Sequence, residues 1–149
     1  MGHYARYPSL LGKSVLVTGG ASGIGAKIVE EFVEQGSKVG FIDLDEISGQ
    51  RLLTTIGDEH AFECCDLRNI DALRGSIEKL NRCLGPFSVL VNNAAHDDRH
   101  NWADVTPDYW DERMATNLRH MFFAIQSVAP GMIRAGGGSI INLGSGSWW

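Results

Sequence analysis

The 149 residues hold only three cysteines and four prolines, no excess of positive charge and no apolar run long enough to span a bilayer. Cys64, Cys65 and Cys83 are odd in number and lack zinc-ligand spacing, which argues against a disulfide framework or a metal site. They read as reduced, buried thiols of a cytoplasmic protein. Thirteen Lys and Arg against eighteen Asp and Glu give a net charge of −5, without the basic footprint that nucleic acid or an anionic membrane requires. Met1 to Arg6 lacks the apolar core of a signal peptide, and Arg6 stands where a myristoylation motif has Ser or Thr. No internal repeat is present. The length suits one domain, residues 1–149, in which residues 1–10 form a loose lead-in; such a chain buries about two thirds of its unfolded surface.

Glycine, by contrast, is abundant, and one cluster of it organises the chain. Val15-Leu16-Val17 reads as a strand, Ile24 to Gln35 as an amphipathic helix, and Thr18-Gly19-Gly20-Ala21-Ser22-Gly23-Ile24-Gly25 joins them. The first N–H groups of a helix have no intrahelical partner, so a glycine-rich turn entering one presents them to an anion such as a diphosphate. Side chains at Gly19 or Gly25 would fill that space or clash where helix crosses strand. The spacing Gly-x-x-x-Gly-x-Gly between strand and helix therefore reads as a dinucleotide site, the alternative being a plain structural turn. A Walker loop is excluded because no Gly-Lys-Ser/Thr follows.

Strand and helix alternate from there. Strands are expected at Ser14 to Thr18, Lys38 to Ile42, His60 to Cys64, Phe87 to Val91 and Ser139 to Leu143, with helices near Gly23 to Gln35, Glu46 to Ile56 and Asn69 to Cys83. In the first helix Ile24, Ile28 and Phe32, with Val29 and Val33, form one buried face. A polar loop from Asn92 to Asp104 leads to a long helix capped by Thr106 with Pro107 at its first position, ended or bent by Pro130. Trp110, Met114, Leu118, Phe122 and Ile125 mark its buried stripe. The pattern implies an α/β fold of three layers, a Rossmann-like doubly wound parallel sheet of order 3-2-1-4-5, incomplete on its C-terminal side. Gly19, Asp43, Asp66, Asn93 and Ser145 would share the carboxyl edge of that sheet.

Thr18-Gly19 followed by Gly23-Ile24-Gly25 resembles the cofactor turn of the short-chain dehydrogenase/reductase family, and the resemblance extends over essentially the whole chain. Asp43 ends the second strand near the ~20-residue distance at which a carboxylate takes the adenosine ribose hydroxyls and repels a 2′-phosphate. With no Arg or Lys at Ser22 or Leu44, the cofactor is expected to be NAD rather than NADP; Asp43 as a helix cap is the competing reading. The resemblance implies cofactor contacts at Gly19, Ser22, Gly23, Ile24 and Gly25, an adenine pocket at Asp66-Leu67, and a brace beside the nicotinamide ribose at Asn93 and Ala94. Ala95 replaces the family's glycine, which matters only if that backbone needs a positive φ. Asn117 matches the helix asparagine of the proton relay, and Ser145 the catalytic serine that holds the substrate oxygen, with Ser147 as the competing candidate.

The family's mechanism transfers hydride between an alcohol carbon and nicotinamide while a tyrosinate takes the alcohol proton. Its Tyr-x-x-x-Lys motif does not occur in these residues. The expectation is a fragment, inactive alone, of an enzyme that forms a homodimer or homotetramer at full length. The runs His96 to Trp102, Tyr109 to Arg113 and Asn117 to Met121 resemble the sugar 1-dehydrogenases of this family, of the bacterial NAD-dependent xylose type. That implies oxidation of the anomeric hydroxyl of an aldose, with His96, Asp97 and Trp148 as rim contacts. Alternatives are another secondary alcohol, hydroxyacyl or cyclic, or a non-catalytic NAD-binding module.

Overall fold

The structure, a computed structural model, describes residues 5–145. Five parallel strands, β1 (Ser14–Thr18), β2 (Lys38–Asp43), β3 (Ala61–Cys64), β4 (Val89–Asn92) and β5 (Ser139–Asn142), form one sheet of order β3-β2-β1-β4-β5. The reversal of strand order falls between β1 and β4. All five residues of β1 are buried, as a strand covered on both faces requires.

The two-residue period of the strands divides the core. Val15, Val17, Val39, Phe41, Val89 and Val91 point to the face covered by α1 (Gly23–Glu34) and α2 (Glu46–Ile56). Leu16, Ile42 and Leu90 point to the other, under α3 (Ile70–Leu84) and the long helix that follows β4. Each fully buried aliphatic or aromatic side chain contributes about 1.5–3 kcal/mol, and the two clusters fix which residues end at the carboxyl edge. Local signals agree with the packing. Asp45 caps α2 by accepting from Ser48 N–H, Asn69 caps α3 by accepting from Ala72 N–H, and Gly36 leaves α1 at φ +79°.

The long helix has three parts. α4 (Pro107–Met114) is capped by the Thr106 hydroxyl and begins on Pro107, as expected. A π-helical turn at Ala115–Arg119 follows, then α5 (His120–Arg134). The residues facing the core are Ala115, His120, Ala124, Val128 and Met132. The stripe expected from the apolar spacing is on the outside, with Trp110 59%, Leu118 54% and Phe122 63% exposed and Met114 exposed as well; Ile125 is half-buried. The inner face mixes small side chains (Ala115, Ala124, Val128) with larger ones (His120, Met132), and spacing alone does not say which stripe faces inward. Pro130 does not end the helix, which continues one turn to Arg134. Both Pro130 and Gln126 are exposed, so water can take the hydrogen bond that proline leaves unmade.

Other expectations are corrected. Ile24 is 73% exposed, at the mouth of a cleft rather than on the buried face of α1. Asn92 belongs to β4, fully buried, and its Nδ2 donates to Asn142 Oδ1 on β5 at 2.8 Å. Of the three free thiols only Cys65 is buried; Cys64 ends an edge strand and Cys83 lies on the outer side of α3. The described part of the lead-in is tied down. Tyr7 N–H donates to Gln35 Oε1 at 2.8 Å and Gln35 Nε2 donates to the Ala5 carbonyl at 2.9 Å.

Candidate functional site

The glycine turn is held on three sides. Gly19 and Gly20 N–H donate to the Ile42 carbonyl at 2.7 and 3.3 Å, which hooks the turn onto the end of β2. Gly19 has φ +68°, and a Cβ there would stand 2.7 Å from Ala94 Cα; a Cβ on Gly25 would fall on the Gly19 carbonyl oxygen. Glycine is thus required by close packing of turn, helix and neighbouring loop. Asn93 closes the third side, its Nδ2 donating to the Thr18 and Gly19 carbonyls at 3.1 and 2.9 Å. The Thr18 hydroxyl accepts from both Asn93 and Ala94 N–H. Among the described residues no non-glycine has a positive φ, so Ala95 sits unstrained where the family has glycine.

Ser22 precedes α1 in extended conformation and makes no capping bond through its side chain. Gly23 follows at φ +54° with open space where a Cβ would stand. The helix N-terminus is therefore left free to receive an anion, assisted by the dipole of a 12-residue helix.

A cleft of about 660 Å³ lies along the carboxyl edge, over the reversal of strand order. It brings together Gly19, Ser22, Ile24, Gly25, Asp43, Asp66, Leu67, Asn93, Ala94 and His96 among the residues expected in the site. Asp97 lies in the exposed loop after β4 and does not line the cleft. Asn117 borders a neighbouring groove with Asn142, Leu143 and Gly144, and Ser145 follows that strand end on the same sheet edge. Ser147 and Trp148 lie outside the described residues.

At one end of the cleft Asp43 Oδ2 accepts from Ala21 N–H at 2.9 Å and Oδ1 from Asp45 N–H at 3.0 Å. The helix cap is Asp45, so Asp43 is left to orient the glycine turn, and each of its oxygens keeps a lone pair for a ligand. Beside it the Asp66 carboxylate is gripped by Arg68, which donates through Nε to both oxygens at 3.0 Å and through Nη2 to Oδ2 at 2.7 Å. These bonds hold Asp66 below the usual carboxylate range. At the other end Asn117, inside the π turn, ties the loop after β4 to the helix. Its Oδ1 accepts from His96 N–H at 2.7 Å and its Nδ2 donates to the His96 carbonyl at 3.1 Å. Arg113, one turn earlier, donates to His96 Nδ1 at 2.8 Å. Arginine cannot accept, so Nδ1 is the unprotonated nitrogen, and His96 Nε2–H points at Asp98 Oδ1, 3.1 Å away.

Sequence reasoning did not single out Arg68, Glu112 or Arg113. Arg68 was legible only as the cation two residues beyond Asp66; nothing in the spacing showed that Glu112, 44 positions later, meets it.

The short chain dehydrogenase family model matches residues 13–147. The chain belongs to that family. It is 47% identical over 147 residues to a D-xylose 1-dehydrogenase of Caulobacter vibrioides, an alignment covering 97% of this chain and 58% of the relative. A probable galactose dehydrogenase of Rhizobium meliloti is 46% identical over 145 residues, covering 95% and 57%. The chain thus spans less than two thirds of the relatives it matches. Among solved structures, a 3-ketoacyl-(acyl-carrier-protein) reductase of Brucella melitensis complexed with NADH superposes with TM-score 0.84 at 25% identity, covering 91% of this chain and 58% of that one. A Serratia marcescens short-chain dehydrogenase/reductase mutant gives 0.85 at 28% identity, covering 94% and 58%.

Proposed function

We propose that this chain is the dinucleotide-binding part of an NAD-dependent oxidoreductase that removes hydride from an alcohol carbon of an aldose, at its anomeric hydroxyl. The single observation that carries the cofactor class is the uncapped N-terminus of α1 beside Gly19 and Asp43 in one cleft. The free N–H groups suit a diphosphate, and Asp43, already oriented by Ala21 and Asp45, suits two ribose hydroxyls. A 2′-phosphate beside that carboxylate would meet like charge, which supports NAD over NADP. NAD supplies the hydride acceptor.

The chain's own residues do the rest. Asn93 and Thr18 keep the nicotinamide side of the turn closed to Ala94. Asn117 and Arg113 hold the His96 loop at the rim, where a polyol needs both donors and acceptors. Ser145 is assigned to hold the substrate oxygen and is not a nucleophile. Sugar specificity is favoured by the identity to relatives named as D-xylose and galactose dehydrogenases, with Asp97 and Trp148 assigned to the substrate rim. Cytoplasmic location and assembly as a dimer or tetramer belong to the same proposal.

The test is calorimetric titration with NAD and NADP, followed by NAD reduction with a panel of aldoses by the natural full-length protein. NAD binding at least tenfold tighter than NADP, with turnover of an aldopentose or aldohexose, is the expected result. Equal binding removes the NAD assignment, and turnover of hydroxyacyl or cyclic alcohols alone removes the sugar.

A further inference from the structure

Asp66 does not face the cleft as a bare carboxylate. Arg68 lies against it with three donor contacts and reaches across to α4, where its Nη1 donates to Glu112 Oε1 at 3.1 Å. The main chain is fixed as well, since Arg119 in the π turn donates to the Arg68 carbonyl at 3.0 Å. A guanidinium has five N–H groups. Asp66 and Glu112 engage those of Nε, one of Nη2 and one of Nη1, and two remain unused in this arrangement.

The charges in the cleft make that placement consequential. Its lining carries three carboxylates, on Asp43, Asp66 and Glu112, and among the described residues Arg68 is its sole Arg or Lys. A dinucleotide brings two further negative charges. Arg68 offsets charge at the adenosine end while keeping donors available beside an acceptor.

We propose that Arg68 reads the purine edge of the cofactor: fixed between Asp66 and Glu112, it places spare N–H donors beside the Asp66 acceptor at the adenosine end of the cleft. This rests on the dinucleotide reading above. A carboxylate alone accepts from the 6-amino group of adenine and opposes a 6-oxo group, whose oxygen is itself an acceptor. With Arg68 alongside, a 6-oxo purine finds a donor in the same place, so the site accommodates both bases. Glu112 is the positioning residue that holds the fork across the cleft.

Calorimetry of NAD and of its deamino analogue, nicotinamide hypoxanthine dinucleotide, tests this on the natural full-length protein, with circular dichroism confirming the fold of each variant. Wild type should bind the two within about fivefold. Arg68→Leu should widen that gap by about tenfold or more, the penalty of leaving one polar edge unmatched. Arg68→Lys should restore overall dinucleotide affinity without closing the gap, because a point charge lacks the fork. Glu112→Gln, which loosens Arg68 but leaves it in place, should widen the gap by a smaller factor. Arg68→Leu weakening both dinucleotides in parallel, or neither, overturns the assignment and reduces Arg68 to a strut. Wild type that binds neither dinucleotide overturns the cofactor reading first, a result distinct from an unmoved gap.

Discussion

Asp43→Asn separates the hold this carboxylate has on the glycine turn from the ribose-binding role proposed for it. In the folded chain Oδ2 accepts from Ala21 N–H at 2.9 Å and Oδ1 from Asp45 N–H at 3.0 Å. An amide retains one acceptor, so one backbone N–H loses its partner, and the charge that favours ribose hydroxyls over a phosphate disappears. Hydrogen bonds to a charged group contribute about 1.5–3 kcal/mol each. NAD should therefore weaken by roughly tenfold to a hundredfold. NADP, freed from like charge, should hold steady or improve. The glycine turn keeps its hooks on Ile42 and Asn93, so stability should fall by only about 1 kcal/mol, which is about 2–4 °C in melting temperature for a domain of this size. Asp43→Ala removes both acceptors and should cost about twice that. The assay is calorimetry with each dinucleotide, paired with thermal melting. A parallel loss of NAD and NADP affinity would mean that Asp43 acts only on the turn, and unchanged NAD affinity would remove it from the ribose site.

Gly25→Ala puts a Cβ onto the Gly19 carbonyl and should destabilise by several kcal/mol or abolish folding; a melting temperature within 2 °C or so of wild type would refute the packing argument. Asn117→Ala removes both bonds to the His96 backbone, so in the full-length protein it should raise KM for substrate and lower turnover while leaving NAD affinity within about threefold, measured by steady-state kinetics beside calorimetry. Ser145→Ala should cut turnover far more than NAD affinity, and if Ser147→Ala does so instead, the register of the segment is off by two. His60 and His120 are buried, and burial holds both below the ordinary imidazole value, against the opposing effects of Glu59 at His60 and of the Thr116 backbone at His120. Below about pH 6.5 the unfolded chain then binds more protons than the folded one, so stability is full above that pH and falls as pH drops toward the folded values, by at most about 1.4 kcal/mol per pH unit for each histidine. Denaturation from pH 7.5 to 5 should show this slope, and His120→Leu should reduce it; a flat profile would refute it.

The parts of the fold that were legible in the sequence are those set by local chemistry. The strand, glycine turn and helix at residues 14–34, the Thr106-Pro107 start of the long helix and the sheet order all follow from short-range pattern and from the handedness of parallel crossovers. Most of the cleft was legible for the same reason, because residues that end parallel strands must share one edge. What spacing could not show is which face of the long helix turns inward. Two stripes run along it, one of Trp110, Met114, Leu118 and Phe122 and one of Ala115, His120, Ala124, Val128 and Met132, and it is the second that packs into the core. Nor could spacing pair Arg68 with Glu112 or Asn117 with His96, since these contacts join loops to a helix far along the chain.

Those two contacts share a cause. Within eight residues, from Glu112 to Arg119, the helix touches both loops that bound the cleft: Glu112 and Arg119 hold Arg68, while Arg113 and Asn117 hold His96. In an uninterrupted α-helix residues 112, 116 and 119 share one face, and 113 and 117 share the next. The π turn at Ala115–Arg119 rotates less per residue than an α-helix and so changes the angle between the two sets. The two ends of the cleft, proposed to take the adenosine and the nicotinamide, are thereby tied to one helical element. A change that restores regular α-helix there, such as deletion of one residue in the turn, should disturb cofactor and substrate binding together, whereas Arg68→Leu should disturb the adenosine end alone. Equal effects of the two changes on substrate KM would show that the helix does not hold the ends in common.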